Sequence, residues 1–161
     1  MRASDLPAIL DLQDICFPTI EPESERCLAA KLQASPNTCF VAIRDDQLMG
    51  YLITHPWTSR LPPELDAPQC HPPADSDSLY LHDLSVHPDA RGTGTGQALL
   101  DAFYNVFEHS NYRVSTLVAI QKSTSYWERQ GYELVPPSHA IDSKLVTYGV
   151  DANYMIKRRH D

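Results

Sequence analysis

The feature that most constrains this chain is a glycine-rich loop placed between a strand-like run and an amphipathic helix. Residues 79–86 are mostly apolar, which predicts a buried strand, and residues 97–108 carry apolar side chains on one helical face. Three alternating glycines in the loop at 91–96 let the backbone approach a ligand closely, and the amides at a helix N-terminus attract anions. The segment therefore predicts an α/β unit that holds a diphosphate.

Two common phosphate-binding loops do not fit this segment. A P-loop ends in Gly-Lys-Ser/Thr, whereas this loop continues from Gly96 into Gln97 and contains no lysine. The dinucleotide fingerprint needs its third glycine where Gln97 stands. The sequence therefore argues against ATP or GTP hydrolysis and against NAD binding.

The remaining periodicities predict a mixed α/β architecture with one sheet flanked by helices. Predicted helices cover about 4–16, 23–32 and 123–130, and predicted strands cover 38–43, 48–54, 114–120, 132–135, 144–150 and 154–157. The polar turn at 44–47 predicts an antiparallel hairpin. Residues 55–78 hold six of the 13 prolines and are predicted to be a long insertion loop within a single domain over residues 1–161.

The charge and cysteine content narrow the classes of partner. The chain has 13 Lys and Arg against 21 Asp and Glu, a net charge of −8, which argues against nucleic-acid binding. An acidic surface attracts cationic small molecules or basic peptides, although acidity also serves solubility alone. No apolar run of about 18 residues and no secretion signal are present, so we expect a cytoplasmic protein with no membrane partner. The four widely spaced cysteines predict free thiols, with no metal site.

Two motifs together resemble the GNAT superfamily of N-acetyltransferases. Residues 91–96 match its Arg/Gln-x-x-Gly-x-Gly/Ala loop, and residues 125–133 look like its late helix and the following strand, with an aromatic pair ahead of a glycine. The resemblance covers about residues 4–157. It implies a largely antiparallel mixed sheet with two splayed parallel strands, at 79–86 and 114–120. One departure is that only three residues precede the first helix, so the family's opening strand is absent, very short or lost to a misplaced start codon.

This resemblance implies acetyl-CoA as co-substrate and implies no metal. The main chain of Leu84 and Val86 would hold the pantetheine arm, and the amides of residues 91–96 would hold the pyrophosphate. The implied coenzyme-binding residues are Leu84, Ser85, Val86, Arg91, Gly92, Thr93, Gly94, Thr95, Gly96, Gln97 and Trp127.

Acyl transfer to an amine requires a base, because an alkylamine is mostly protonated at pH 7. Histidine has a suitable pKa, and His82 is the predicted base. Strict alternation puts Tyr80, His82 and Leu84 on one face of their strand and Asp83 and Ser85 on the other, unless a bulge intervenes.

Residues 81–87 are locally similar to arylalkylamine (serotonin) N-acetyltransferases, which supports a proton relay through His82. Tyr80 departs from the second histidine of those enzymes. Alternatively, His82 is a core histidine bonded to a neighbouring strand. Asp83 could bind the substrate ammonium, orient His82, or serve only as a buried partner.

Protonation of the leaving thiolate is the second chemical requirement. Many relatives use a tyrosine four residues before the late glycine, where this chain has Trp127. Because an indole N–H is not a useful acid, Tyr126 or a water serves, or the thiolate leaves unaided. Trp127 is expected to pack along the coenzyme, and simple core packing of both aromatic residues is the alternative.

The resemblance leaves the acceptor open. The insertion falls where amine-specific relatives carry a lid, and an aromatic ring with carboxylates can hold an ammonium; the candidates are Trp57, Asp66, Asp75 and Asp77. We expect direct attack by a small primary amine with water-assisted deprotonation, and the predicted substrate-binding residues are Trp57, Tyr80 and His82. The alternatives are acetylation of a protein or peptide N-terminus or lysine, and a non-catalytic CoA-binding domain. A homodimer is compatible with the resemblance, because late strands of such folds often pair across chains.

Overall fold

The computed structural model describes residues 1–19, 22–65 and 70–159. The α-helices are α1 (Leu6–Cys16), α2 (Glu25–Ala34), α3 (Thr95–His109), α4 (Thr124–Arg129) and α5 (His139–Leu145). The strands are β1 (Phe40–Arg44), β2 (Gln47–Trp57), β3 (Ser78–Val86), β4 (Val114–Ala119), β5 (Glu133–Leu134) and β6 (Asn153–Arg158). Short 3-10 helices lie at Ala3–Asp5, Pro36–Thr38, Pro88–Ala90 and Val146–Tyr148. In the described ranges, no helix has the length and apolar character needed to cross a membrane.

The strands form one sheet in the order β1-β2-β3-β4-β6-β5. β3 and β4 are parallel, and the other neighbouring strands are antiparallel. The predicted hairpin and the predicted mixed, largely antiparallel sheet are therefore confirmed. No strand precedes α1 in the part of the chain that the structure describes.

The parallel pair is short, and this opens the middle of the sheet. β3 and β4 pair from Ser78 with Val114 to Leu81 with Leu117. Beyond Leu81, β3 continues beside β2, while β4 continues beside β6. The facing edges of the two strands are left without a strand partner, so the predicted splay is confirmed.

Helices cover both faces of the sheet. On one face, the apolar sides of α1 and α2 pack on β2 in a cluster that includes Ile9, Leu28 and Tyr51. On the other face, Phe103 of α3 and Trp127 of α4 belong to a larger cluster. Burying each such side chain is worth roughly 1.5–3 kcal/mol, which is enough to set the α3 stripe against the sheet.

Gly50 allows α3 to lie close to the end of β3. A Cβ at this position would stand 2.9 Å from the Ser85 carbonyl oxygen and 3.1 Å from Leu99 Cδ1. Only glycine fits this approach, and it brings the start of α3 next to the last residues of β3.

Two element predictions were wrong, each for a local reason. The strand predicted at 144–150 is the end of α5 and a 3-10 helix, because the Ser138 side chain caps this helix by accepting a hydrogen bond from the Ile141 amide at 3.3 Å. The insertion predicted to begin at residue 55 begins after Trp57, because β2 continues that far. The pairing of β2 with β1 stops at Leu52, opposite the first residue of β1, Phe40. Pro56 lies beyond this point, so its missing amide hydrogen costs no hydrogen bond to β1.

Candidate active site

A cavity of about 550 Å³ lies at the splay between β3 and β4. Its described lining includes β3 from Leu81 to Val86, most of the glycine loop, the end of β4, and the aromatic pair of α4. Glu23, Leu65 and Tyr148 also contribute to the wall. Because His82 and Val86 are four residues apart on one strand, the cavity extends along β3 for about 13 Å.

The glycine loop presents open backbone to this cavity. Gly92 and Gly94 have φ values of +74° and +88°, a region that disfavours other residues, and a Cβ at either position would meet nothing within 4 Å. Gly94 is the N-cap of α3, and the helix receives no side-chain cap. The amides of the first helical turn, beginning at Thr95, have no acceptor within the helix. This end of the cavity therefore suits an anion.

The structure brings most of the predicted coenzyme-binding residues to one wall. Those that line the cavity are Leu84, Ser85, Val86, Arg91, Gly92, Gly94, Gly96, Gln97 and Trp127. Thr93 and Thr95 are not in the described lining. Their hydroxyls lie 3.0 Å apart, and Thr93 donates to the Ala90 carbonyl at 2.7 Å, which holds the loop in shape.

His82 lies on a β-bulge. Ile53 of β2 pairs with Asp83, and the next residue, Thr54, pairs with Leu81, so His82 has no partner on β2. The extra residue interrupts the alternation of side chains along β3. The bulge allowed for in the sequence prediction is therefore present, and it falls on the predicted base.

Because of this bulge, the predicted assignment of faces was wrong for the residues after His82. Asp83 lies on the α1 and α2 side, where it accepts hydrogen bonds from the Tyr51 hydroxyl at 2.5 Å and from Ser85 Oγ at 3.0 Å. Leu84 instead packs against the cluster beneath α3 and α4. Burial raises the pKa of Asp83, although the hydrogen bond from Tyr51 opposes the rise.

His82 is the end of a buried chain of charged and polar groups that sequence reasoning missed. Its Nε2 is hydrogen-bonded to Glu23 Oε2, and Glu23 Oε1 accepts from Lys31 Nζ at 2.9 Å. The side chains of His82, Glu23 and Lys31 are 1%, 6% and 4% exposed. Burial alone would raise the pKa of Glu23, but the hydrogen bonds from His82 and Lys31 and the charge of the Lys31 ammonium outweigh it and hold that pKa well below its usual value. Glu23 is therefore a carboxylate.

The other nitrogen of His82 is differently placed. Nδ1 is buried and has no hydrogen-bond partner among the residues that the structure describes. The His55 ring lies 6.0 Å away between centroids, and its Nε2 also lacks a partner within the same ranges. Burial lowers the pKa of His55 to about 3. His55 is therefore neutral near pH 7.

Tyr126 and Trp127 both line the cavity. Trp127 is buried and makes an edge contact with Tyr132, with ring centroids 5.6 Å apart. Tyr126 is half-buried, and desolvation raises its pKa, so this phenol holds its proton at neutral pH. The predicted roles of Tyr126 as acid and Trp127 as coenzyme contact stay predictions that their positions allow.

The residues predicted to hold an ammonium make other contacts. The Trp57 indole donates to the Leu61 carbonyl at 3.1 Å, and Tyr80 Oη lies 3.2 Å from Tyr148 Oη. Neither Trp57 nor Tyr80 is in the described lining of the cavity. Their substrate-binding roles stay predictions.

The carboxylates of the insertion are engaged within the loop. Asp75 pairs with Arg60 at 2.6 Å, and Asp77 accepts from the amide and hydroxyl of Ser59. Asp66 lies outside the described residues. The four cysteines are free thiols. Within the described ranges, no group of His, Cys, Asp or Glu side chains is arranged to hold a metal ion.

The insertion contributes to the cavity through a clasp that the sequence did not reveal. The Tyr148 hydroxyl donates to the Pro63 carbonyl at 2.9 Å, and Lys144 Nζ donates to Glu64 at 2.6 Å. These contacts tie the insertion to α5 and to the 3-10 helix that follows it. Leu65 and Tyr148 are thereby brought together into the wall that also contains Glu23 and His82.

Comparisons with known proteins agree with this geometry. A model of the acetyltransferase (GNAT) family matches residues 6–132. No curated protein matches the sequence.

Several solved structures share the fold. The ribosomal-protein-S18-alanine N-acetyltransferase from Escherichia coli is 19% identical, with a TM-score of 0.69 and coverage of 100% of this chain and 92% of that one. Arabidopsis thaliana Naa50, in complex with the bisubstrate analogue CoA-Ac-MVNAL, is 16% identical, with a TM-score of 0.67 and coverage of 98% and 94%. The GNAT-like decarboxylase GphF, in complex with isobutyryl-CoA, is 15% identical, with a TM-score of 0.76 and coverage of 98% and 96%. At these identities the matches establish a common fold.

Proposed function

Since the family model matches most of its length, the chain belongs to the acetyltransferase (GNAT) family, and we propose that it transfers an acetyl group from acetyl-CoA to the primary amine of a small molecule. One observation carries the proposal. A single cavity reaches from the open glycine loop at the start of α3 to the buried His82 beside the splay of β3 and β4. An anion-binding end and a basic group are thus joined along one strand.

The residues at the first end fit the coenzyme. Gly92 and Gly94 leave room for phosphate oxygens beside the amides of the α3 N-terminus. The free edge of β3 offers the main chain of Leu84 and Val86 to the pantetheine amides, as an added strand would. The GphF structure contains isobutyryl-CoA and the Naa50 structure a CoA analogue, which supports the assignment of this end. Acetyl-CoA supplies an acyl carbon activated as a thioester.

His82 lies in this wall, and its imidazole can accept a proton from the attacking amine, directly or through a water. Its Nε2 is occupied by Glu23, so Nδ1 is the nitrogen left for this purpose. Tyr126 retains its phenolic proton and is the candidate donor to the departing thiolate. The contacts of Asp83 with Tyr51 and Ser85 support a role in holding the bulge rather than in proton transfer.

The shape of the far wall favours a small acceptor. Leu65 and Tyr148 both line the cavity with Glu23 and His82, and the hydrogen bond from Tyr148 to Pro63 ties the insertion to this region, which supports a small acceptor rather than an extended peptide. The aromatic ring of Tyr148 and the ring of Phe17 offer flat surfaces to an acceptor. Together with the local similarity of residues 81–87 to arylalkylamine N-acetyltransferases, this makes arylalkylamines the first class to test.

The test combines calorimetry with thiol release. Acetyl-CoA, CoA, ATP and NADH are titrated into the protein, and arylalkylamines, polyamines, amino acids and peptide N-termini are then screened as acceptors. We expect selective binding of the CoA ligands and turnover with a small amine. His82→Gln should lower kcat by about a hundredfold or more with unchanged affinity for acetyl-CoA, because a positioned base contributes roughly 10²–10⁴ in rate.

The exposed histidine of α5 provides the matched control, and His139→Gln should leave the rate unchanged. No binding of acetyl-CoA by folded protein would refute the proposed function. Wild-type rates in His82→Gln would refute the base assignment alone, and preference for peptides would refute the small acceptor.

A further inference from the structure

We propose that Glu23 and Lys31 form a buried positioning pair that fixes the tautomer of His82, with the hydrogen on Nε2 and the lone pair on Nδ1. The consequence for catalysis rests on the proposed function, in which His82 is the base. The structural claim about the tautomer does not, and it can be tested without any turnover.

The geometry assigns the hydrogen to one nitrogen. A carboxylate has only acceptor atoms, so Nε2 must donate the hydrogen bond that joins His82 to Glu23. In a neutral imidazole that carries its hydrogen on Nε2, Nδ1 is the acceptor. Because the side chains of His82 and Glu23 are almost fully buried, the contact with Glu23 decides which tautomer forms.

Lys31 makes this arrangement compatible with a neutral imidazole. A carboxylate buried beside His82 alone would favour a cationic ring, in which both nitrogens carry hydrogens and neither can accept a proton. The ammonium of Lys31, 2.9 Å from Glu23 Oε1, already balances the carboxylate. The pair is therefore neutral as a unit, and His82 is free to remain unprotonated on Nδ1.

Neighbouring elements hold the pair in place. Gln13 of α1 donates from Nε2 to the Glu23 main-chain carbonyl at 3.0 Å, and Lys31 lies in the last turn of α2. His82 is the bulged residue of β3 and has no register partner on β2, so its side chain can turn towards α1 and α2. Three separate elements thus meet at one hydrogen-bonded chain.

The remaining titratable groups near the ring do not compete for Nδ1 within the described residues. His55 and Tyr80 each have ring centroids 6.0 Å from His82, and neither makes a hydrogen bond with it. The carboxylate of Asp83 is bonded to Tyr51 and Ser85 instead. Nδ1 therefore has no hydrogen-bond partner within the described ranges.

The tautomer can be read directly by NMR on the full chain labelled with ¹⁵N in its histidine rings. His82→Gln assigns the signals of His82. In the wild-type protein at pH 7.5 we expect the neutral Nε2–H tautomer.

Glu23→Gln should mix or invert the tautomers, because a carboxamide can also donate a hydrogen. Lys31→Met should place hydrogens on both ring nitrogens of His82, because the buried carboxylate of Glu23 then lacks its balancing ammonium. Glu25→Gln and Lys122→Met remove exposed charges and are the matched controls.

Two further readouts separate positioning from simple stability. Glu23→Gln should lower kcat at least tenfold and displace the pH–rate profile, with the affinity for acetyl-CoA unchanged. A wild-type His82 with its hydrogen on Nδ1, or an unchanged tautomer in Glu23→Gln, would overturn the proposal. The wild-type spectrum decides the question even if a variant fails to fold. If the protein transfers no acetyl group, the proposed function fails while the tautomer result stands or falls separately.

Discussion

Gly94 and Gly96 both lie in the glycine loop, but alanine at these two positions should change the stability of the fold in opposite directions. Gly94 has a φ of +88°, and a Cβ there would touch nothing within 4 Å. Gly94→Ala therefore creates no clash. It lowers the free energy of unfolding only by the cost of a left-handed backbone at an L-residue, roughly 1–2 kcal/mol. For a chain of this size, that loss lowers Tm by about 3–6 °C.

Gly96 differs because it lies in the first turn of α3 with an ordinary helical backbone. A Cβ there would stand 3.4 Å from Val86 Cγ2, which is normal van der Waals contact. Gly96→Ala should raise the free energy of unfolding by roughly 0.5–1 kcal/mol, because alanine loses less conformational entropy in a helix. Both substitutions nonetheless add a methyl group to the lining of the cavity, where the proposed pyrophosphate lies. Each should weaken acetyl-CoA binding at least tenfold, about 1.4 kcal/mol.

Thermal denaturation and calorimetric titration of the same preparations measure the two effects separately. Gly149→Ala is the control, since Gly149 has a φ of +105° and lies outside the described lining of the cavity. It should lose stability while acetyl-CoA affinity is unchanged. A Gly96→Ala variant that is more stable and binds acetyl-CoA as tightly as wild type would refute the assignment of the loop to the coenzyme.

Two other predictions concern the acid stability of the fold and the clasp. Burial lowers the pKa of His55 from 6.5 to about 3, so between these values the unfolded chain binds a proton that the folded chain does not. The free energy of unfolding should therefore fall as the pH falls below 6.5, by about 2 kcal/mol at pH 5. Urea denaturation at pH 7 and pH 5 measures this difference, and His55→Phe should reduce it. An equally large difference in the variant would show that His55 is not its origin. Lys144→Ala removes an exposed contact with Glu64 and should change the unfolding free energy little, but it should raise KM for the amine several-fold with acetyl-CoA affinity unchanged. An unchanged KM would remove the clasp from substrate selection.

Local sequence pattern was sufficient to predict the elements on either side of the glycine loop. The run at 79–86, the glycine loop and α3 could be predicted because the apolar period and the glycine content act over a few residues. The family resemblance added the splay of β3 and β4. The strand predicted at 144–150 failed because its β-branched and aromatic residues suggested a strand, while the Ser138 cap and the burial of Ile141 fix a helix.

The far end of the site could not be predicted, because its contacts join distant parts of the chain. Glu23 and His82 are 59 residues apart, and Lys144 and Glu64 are 80 residues apart. Their proximity depends on how α1, α2 and the insertion pack on the finished sheet. Glu23 carried no distinguishing signal in the sequence beyond its place near the start of a predicted helix.

The bulge at His82 reconciles two demands on the same strand. Leu84 packs on the α3 and α4 side, beside the coenzyme wall, and strict alternation would turn His82 to that side as well. The extra residue instead turns His82 towards Glu23 and the α1 and α2 side, where its Nε2 is held, while β3 resumes its pairing with β2 at Asp83. A regular strand could place either Leu84 against the α3 and α4 side or His82 beside Glu23, but not both in this arrangement. The position of one unpaired residue therefore determines that the glycine loop and His82 line a single cavity.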